Sequence, residues 1–295
     1  MGWGSQQWLR VTPETTYGVY NSGGTPAWVR LVGGNAFTMR TVPQRQVIRS
    51  ADGGNRRVQQ VAPRKVVAGS LSTLCYPTQM AFWLGSALTL SGTPTDLGSY
   101  TVDYWDTEQG HRFLGTKVGS LSYSTGSDSD YGSLSLSLVA QSKSSVSLSQ
   151  PAFSVFPTET PYVHYESKGH ISVGGSTLAS YKAASFTINN TLTGTWDEDQ
   201  WITALFYSGR DVNGSVTPQY NATTLRAAFE AQSSLAVTMA WSRASGLTTT
   251  LNMETLNYIP SVDDDLQLGG ASYQTVGFEA FYDPANSTDV AFTVA

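Results

Sequence analysis

The chain has 295 residues, of which 13% are charged and 12% aromatic, with a formal net charge of −5 and a pI of about 5.1. That length supports one large or two medium domains with a real core, and the aromatic content excludes a disordered chain. The acidic balance gives no overall argument for a nucleic-acid-binding surface, a single cysteine (Cys75) excludes an intrachain disulfide framework, and no apolar run reaches the length of a membrane span.

Residues 1–26 read as an arm, with Trp3, Trp8, Tyr17 and Tyr20 set among Gly, Thr and Pro. Its start has neither the basic opening nor the apolar run of a signal peptide, so assembly in the cytoplasm is expected. A first β-rich module is expected over 27–150. It opens with Ala27-Trp28-Val29-Arg30-Leu31-Val32 and a Gly33-Gly34 turn. Residues 40–65 then carry Arg40, Arg45, Arg49, Arg56, Arg57, Arg64 and Lys65 around the turn signal Asp52-Gly53-Gly54-Asn55. This is a long, hairpin-like, arginine-rich loop of the kind that reaches toward an acidic partner surface.

Val67-Ala68-Gly69-Ser70-Leu71-Ser72 closes a strand and leads into a helix that Pro77 can start and Gly85 can end. Met80, Trp83, Leu84 and Leu88 recur at helical spacing and mark its core face. Further strands are expected at Thr101–Trp105, Gly119–Ser124, Gly132–Val139 and Ser145–Ser149. The Ser/Leu alternation at 132–139 puts every leucine on one face and Ser133, Ser135 and Ser137 on the other. A face of small uncharged hydroxyls suits a close protein contact or a smooth wet wall. Pro-punctuated residues 151–161 form a connector.

A second module is expected over 162–295, with strands at Val163–Glu166, Ile171–Val173, Ala184–Asn189, Leu235–Trp241, Thr248–Leu256 and Gln274–Tyr282. Its loops carry the acidic runs Asp197-Glu198-Asp199 and Asp263-Asp264-Asp265. Val212-Asn213-Gly214-Ser215-Val216-Thr217 repeats the 67–72 pattern 145 residues on and precedes a second helical stretch at Leu225–Phe229. The order strand, helix, strand recurs as well, which points to tandem duplication. Two short helices cannot cover a large parallel sheet, so the sheets are expected to be antiparallel.

Catalytic and cofactor signatures are lacking. His111, His164 and His170 have no metal-ligand spacing. The chain carries neither a Gly-x-Ser-x-Gly elbow nor a phosphate-binding Gly loop, and the aspartate runs lack EF-hand spacing. No cofactor is expected.

The arginine-rich loop, Val67–Leu71, the helix ending near Gly85, Leu114–Ser122 and Ser208–Thr217 together resemble the major tail tube proteins of long-tailed bacteriophages. The resemblance implies tandem β-sandwich or partial-barrel modules, each with one short helix, and no enzymatic activity. It implies rings stacked into a hollow tube; in duplicated members three chains make a pseudo-sixfold ring. It assigns Arg40 to Lys65 to contacts between rings and makes Ser133, Ser135 and Ser137 candidates for the lumen. Its partners would be further copies of the chain and the tape measure, tail tip and tail terminator proteins, with genomic DNA passing through unbound. The rival reading is a β-sandwich module binding carbohydrate or a receptor, with Trp3, Trp8, Trp105 and Trp196 stacking on sugars. A glycoside-acting enzyme ranks well below both.

Overall fold

The computed structural model describes residues 7–294 except 30, 32–35, 50–56, 89–95, 128, 150, 153–154, 157, 168–170, 179, 198, 219–234, 243–247, 266–272 and 282–288. The chain is mainly antiparallel β. The first half contains β1 (Trp8–Pro13), β2 (Ala27–Val29), β3 (Phe37–Arg49), β4 (Arg57–Leu74), α1 (Pro77–Leu88), β5 (Tyr100–Trp105), β6 (Gly110–Gly126), β7 (Ser129–Ala140) and β8 (Ser142–Val146). The second contains β9 (Ile171–Val173), β10 (Ser176–Thr177), β11 (Tyr181–Thr195), β12 (Ala204–Pro218), β13 (Leu235–Ser242), β14 (Thr248–Asp265), β15 (Tyr273–Phe281) and β16 (Val290–Val294).

The pairings repeat strand for strand. In the first half β1 pairs β2 and β5, β5 pairs β6, β6 pairs β7 and β8, and β4 pairs β3 and β7. In the second, β9 pairs β10 and β13, β13 pairs β14, β14 pairs β15 and β16, and β12 pairs β11 and β15. Adding eight to each strand number of the first half reproduces the second. One further ladder, β6 to β11, joins the halves. The duplication extends to detail. Gly69 pairs Met39, and Gly214, 145 residues later, pairs Phe186. A Cβ on either glycine would run into a neighbouring backbone carbonyl, that of Thr38 or Ser185.

Two layers result. One is the continuous run β3-β4-β7-β6-β11-β12-β15-β14, four strands from each half. The other consists of two small sheets. One is β2-β1-β5 with the first part of β6 and β8; the other is β10-β9-β13 with the first part of β14 and β16. β6 and β14 serve both layers by leaving one and entering the other, each with a register break on the way. Alternation decides what lies between the layers. Leu71, Leu121, Leu134, Leu136, Leu138, Phe186, Ile188, Val212 and Phe278 point inward and are buried. There Tyr123 and Phe186 meet Trp241 of the opposite layer at 4.7 and 5.5 Å between ring centroids.

Helix α1 packs where the halves meet. Met80, Trp83, Leu84 and Ala87 are buried. Glu159 of the connector accepts from the Thr78 N–H at 2.9 Å, capping the first turn. Arg210 of β12 donates to the Leu88 carbonyl at 3.1 Å, placing a cation at the C-terminal end of the dipole. The helix runs three residues past the expected stop at Gly85, because Ala87 still has core to cover.

Three expectations change. Residues 8–13 of the expected arm are not loose. Trp8, Leu9 and Val11 are buried, and Arg10 with Arg112 grips the Asp103 carboxylate, which is 1% exposed. The strand expected at Val163–Glu166 is instead a 3-10 turn at His164–Ser167; only Val163 bridges, to Tyr131. The hairpin-like loop expected over 40–65 is regular strand on both sides, with residues 40–49 paired to 57–68 in one antiparallel ladder. The expected helix at Leu225–Phe229 and the Asp52–Asn55 turn lie outside the described residues.

Candidate assembly surfaces

The outward face of the long layer carries the serines. Side chains two apart along each strand share this face, and the ladder registers align them across strands. One row runs Thr38, Ser70, Ser137, Ser120, Asn189; the next runs Ser72, Ser135, Ser122, Thr187, Asn213; a third runs Ser133, Ser124, Ser185, Ser215. Hydroxyls bond across the strands: Thr38–Ser70 at 3.1 Å, Ser120–Ser137 at 2.9 Å, Ser124–Ser133 at 2.7 Å, Ser122–Thr187 at 3.0 Å and Ser185–Ser215 at 3.0 Å. Ser133 and Ser135 are exposed and Ser137 is half-buried. Among the described side chains, charge enters this face at exposed Arg40 on β3, at Asp211 on β12 opposite Asn189, and at Glu279 on β15 opposite Asn213. The sequence showed three of these positions on one strand. The register extends them into a hydroxyl wall six strands wide.

The borders of that wall are open among the described residues. β3 pairs only β4, and β14 beyond Leu256 pairs only β15. Their counterparts are not open. The counterpart of β3 is β11 and that of β14 is β6, and these two strands are the ones paired at the internal junction, from Ser120–Asn189 to Gly126–Ala183.

Each half also extends a hairpin past the body, β3–β4 and β11–β12. The first carries Arg45, Arg49 and Arg57 at strand positions and Arg56 outside the described residues. The second ends in Trp196, Asp197, Asp199 and Trp201. That second tip folds onto the stem of the first hairpin. The Lys65 N–H donates to the Gln200 carbonyl at 2.7 Å, and Trp196 Nε1 donates to the Lys65 carbonyl at 3.5 Å. Arg64 lies over Trp196 at 4.9 Å and Lys65 over Trp201 at 5.1 Å. Two of the seven basic residues singled out in the sequence are therefore engaged within the chain. The partner tryptophans lie far off in sequence, and no local pattern could have joined them to this stem.

Sugar-stacking platforms fare poorly on this geometry. Trp8 is 3% exposed, Trp196 is covered by Arg64, Trp105 is half-buried in β5, and Trp3 lies outside the described residues. Cys75 is fully buried, and burial pushes its thiol well up from the ordinary value. Among the described residues no group of His, Cys, Asp or Glu is arranged to hold a metal, and no helix is long and apolar enough to cross a membrane.

These features define a duplicated, mainly antiparallel β protein with open sheet borders and a neutral hydroxyl wall. A model of the phage tail tube protein family matches residues 4–280, and the chain belongs to that family. It is thereby a structural component of the virion tail, a tube subunit that assembles with other tail proteins. No curated protein matches it.

Proposed function

We propose that three copies close head to tail into a ring of six modules, that the rings stack, and that the hydroxyl wall lines the conduit for DNA ejection. The observation that carries this reading is the internal junction. β6 and β11 already join two modules side by side, while the equivalent borders, β14 and β3, have no partner among the described residues. Repeating the same contact between copies uses heterologous borders, which generate a ring wherever the rotation closes. It also removes the exposed strand edges that would otherwise be an aggregation hazard.

The dimensions agree. Eight wall strands per copy at ~4.8 Å spacing give a barrel about 37 Å across the backbone for upright strands, and about 48 Å at a ~40° tilt. Side chains as small as serine narrow this little, so a DNA duplex passes. A lining dominated by neutral hydroxyls, with more carboxylates than cations on its described part, offers phosphate few counterion-releasing contacts, so the duplex is conducted without being held.

The subunit acts without catalysis. In place of the ring-to-ring contacts that the resemblance implies for Arg40 to Lys65, the outer part of the first hairpin (Arg45, Arg49, Arg56 and Arg57) bridges neighbouring copies within a ring, Arg40 lies at the joint between them, and Arg64 and Lys65, held by Trp196 and Trp201, brace the hairpin within the chain. The ends of the tube meet the tail tip and tail terminator proteins, and the lumen houses the tape measure before ejection. Assembly takes place in the host cytoplasm. Negative-stain averages of purified protein viewed down the axis test the reading: threefold rings with six lobes are expected. Protein that stays monomeric at high concentration under every nucleating condition refutes it.

A further inference from the structure

The two hairpins are counterparts of nearly equal length. Thirty residues separate Met39 from Gly69 and twenty-eight separate Phe186 from Gly214, the equivalent pairs. Yet their tips carry opposite charge. The first has Arg49, Arg56 and Arg57 against Asp52 alone; the second has Asp197, Glu198 and Asp199 with no cation. The second tip is seated within its own chain. It reaches across the ends of β6 and β7 to the border of β4 just beyond the last β4–β7 pair, Val67–Ala140. Aromatic rings on the tip meet cations on the stem.

The counterpart of that seat is the border of β12 just beyond its last pair with β15, Val212–Ala280. Its surface has the reverse chemistry. Phe206 is 52% and Phe281 42% exposed. Asp211 and Glu279 are exposed beside them, and Tyr207 is half-buried. From Asp211 to Phe206 the strand covers about 17 Å, enough for the end of a hairpin. Within the chain, cations on a stem receive aromatics from a tip. Here aromatics and carboxylates on a stem await cations from a tip.

We propose that this patch (Phe206, Tyr207, Asp211, Glu279 and Phe281) is the seat for the arginine-bearing tip of the first hairpin of a second copy. The inference rests on the head-to-tail ring proposed above. A copy that adds its β3 to this chain's β14, as β11 adds to β6, brings its first hairpin across the ends of β14 and β15 to β12. Arginine suits the seat because its planar guanidinium stacks on aromatic faces while bonding carboxylates. The second tip, with three acidic residues, would be repelled there, so the divergence of the tips fixes which hairpin goes where.

The test is chemical cross-linking with a short bis-maleimide on full-length protein, where buried Cys75 gives little background. Asn55→Cys and Phe206→Cys are placed on separate chains, mixed and allowed to assemble. Ladders to covalent dimer are expected in the mixture and in neither variant alone; the double variant is expected to give a cyclic trimer. A control pair, Asn55→Cys with Val294→Cys, is expected to give at least tenfold less product. Rings seen by microscopy without the Asn55–Phe206 product, or with product equal to the control, overturn the seat while leaving the ring intact. Absence of any assembly in the wild type overturns the ring, and the seat with it.

Discussion

The internal junction predicts the register of the external one, down to a single ion pair. At the internal junction Ser122 opposes Thr187. Thr187 follows Phe186 as Arg40 follows Met39, and Phe186 and Met39 are the residues that face the equivalent glycines. Likewise Ser122 follows Leu121, which faces Leu136, as Asp263 follows Val262, which faces Val276. In the proposed ring, Asp263 of one copy would therefore oppose Arg40 of the next. An opposite-charge cross-strand pair contributes roughly 0.2–1 kcal/mol, and like charges placed there cost a similar amount. Asp263→Arg or Arg40→Asp should therefore weaken each joint by about 1 kcal/mol. With three joints to a ring, closure falls about 100-fold. Arg40 is exposed in the single chain, so thermal unfolding of the unassembled protein should move little, within ~0.5 kcal/mol. Combining the two reversals restores an opposite pair and should return ring formation to within a few-fold of the wild type. Sedimentation velocity at low salt, on matched concentrations of the four proteins, measures this. A double variant no better than the singles, or singles indistinguishable from wild type, refutes the register and the module equivalence behind it.

Other outcomes bear on the wall, the fold and its pH limits. Changing Ser133, Ser135 and Ser137 together to Lys leaves the fold intact, because these side chains are not in the core; assembled tubes should then retain DNA at low salt and release it as salt rises. Variant tubes that ignore DNA in a filter-retention assay would remove these serines from the lumen. Asp103→Ala strands two guanidinium groups beside an emptied site, and chemical denaturation should show a loss of about 3–5 kcal/mol; a loss below 1 kcal/mol would contradict the pairing. Gly214→Ala places a methyl group 2.5 Å from the Ser185 carbonyl and from the Phe278 ring, so a cost of about 1–3 kcal/mol is expected from the same titration, and a neutral variant would contradict the packing. Burial holds the phenols of Tyr162 and Tyr181 up at about 12, against about 10 when unfolded. The folded state then keeps protons that the unfolded state releases, so stability is full below pH ~10 and declines from there toward pH ~12. Phenolate absorbance followed together with circular dichroism should show titration and unfolding coinciding; phenols that ionise near pH 10 in folded protein would rule this out.

What the sequence made legible was set by the range of each signal. Period-two alternation is local, so Ser133 to Leu138 declared both a strand and its faces. The repeat of Val67–Ser72 at Val212–Thr217 declared the duplication, and the strand pairings reproduce it throughout. Helix α1 was readable from Pro77 and its apolar spacing. The hairpin shape of 40–65 was legible, but its regular strand arms were not, because the arginines mask the β-branched Val42, Val47, Ile48, Val58 and Val61, which favour a strand. The second hairpin was missed as a counterpart because its charge is reversed. β1 was hidden by the Gly, Thr and Pro around it. Its place comes from Arg10 reaching Asp103, and the rest of its contacts are equally long-range. The wall and its borders are ladder properties, and pattern along one strand does not specify which strands become neighbours.

The divergence of the two halves is informative because the fold does not require it. The internal junction is lined by Ser120, Ser122, Ser124, Ser185, Thr187 and Asn189, neutral groups on neutral groups. A covalent connection already holds these modules together, and high effective concentration makes a weak, uncharged joint sufficient. The proposed external junction would join separate chains and have no such help. There a neutral joint would leave register weakly specified, and a slip of one residue would turn every serine inward and every leucine toward the lumen. In the proposed joint, Arg40 and Asp263 would stand at the positions where a charge on each side penalises that slip. Duplication of a module followed by charging of the two outer strands would thus account for opposite charges on β3 and β14 beside a neutral internal junction, while Asp211 and Glu279 add charge on the paired strands β12 and β15. A protein in which Ser122 and Thr187 were exchanged for Asp and Arg, with Arg40 and Asp263 made neutral, should fold as well as the wild type yet form irregular or open assemblies. Closed, regular rings from that variant, counted in micrographs beside wild-type rings, would show that the border charges do not set register.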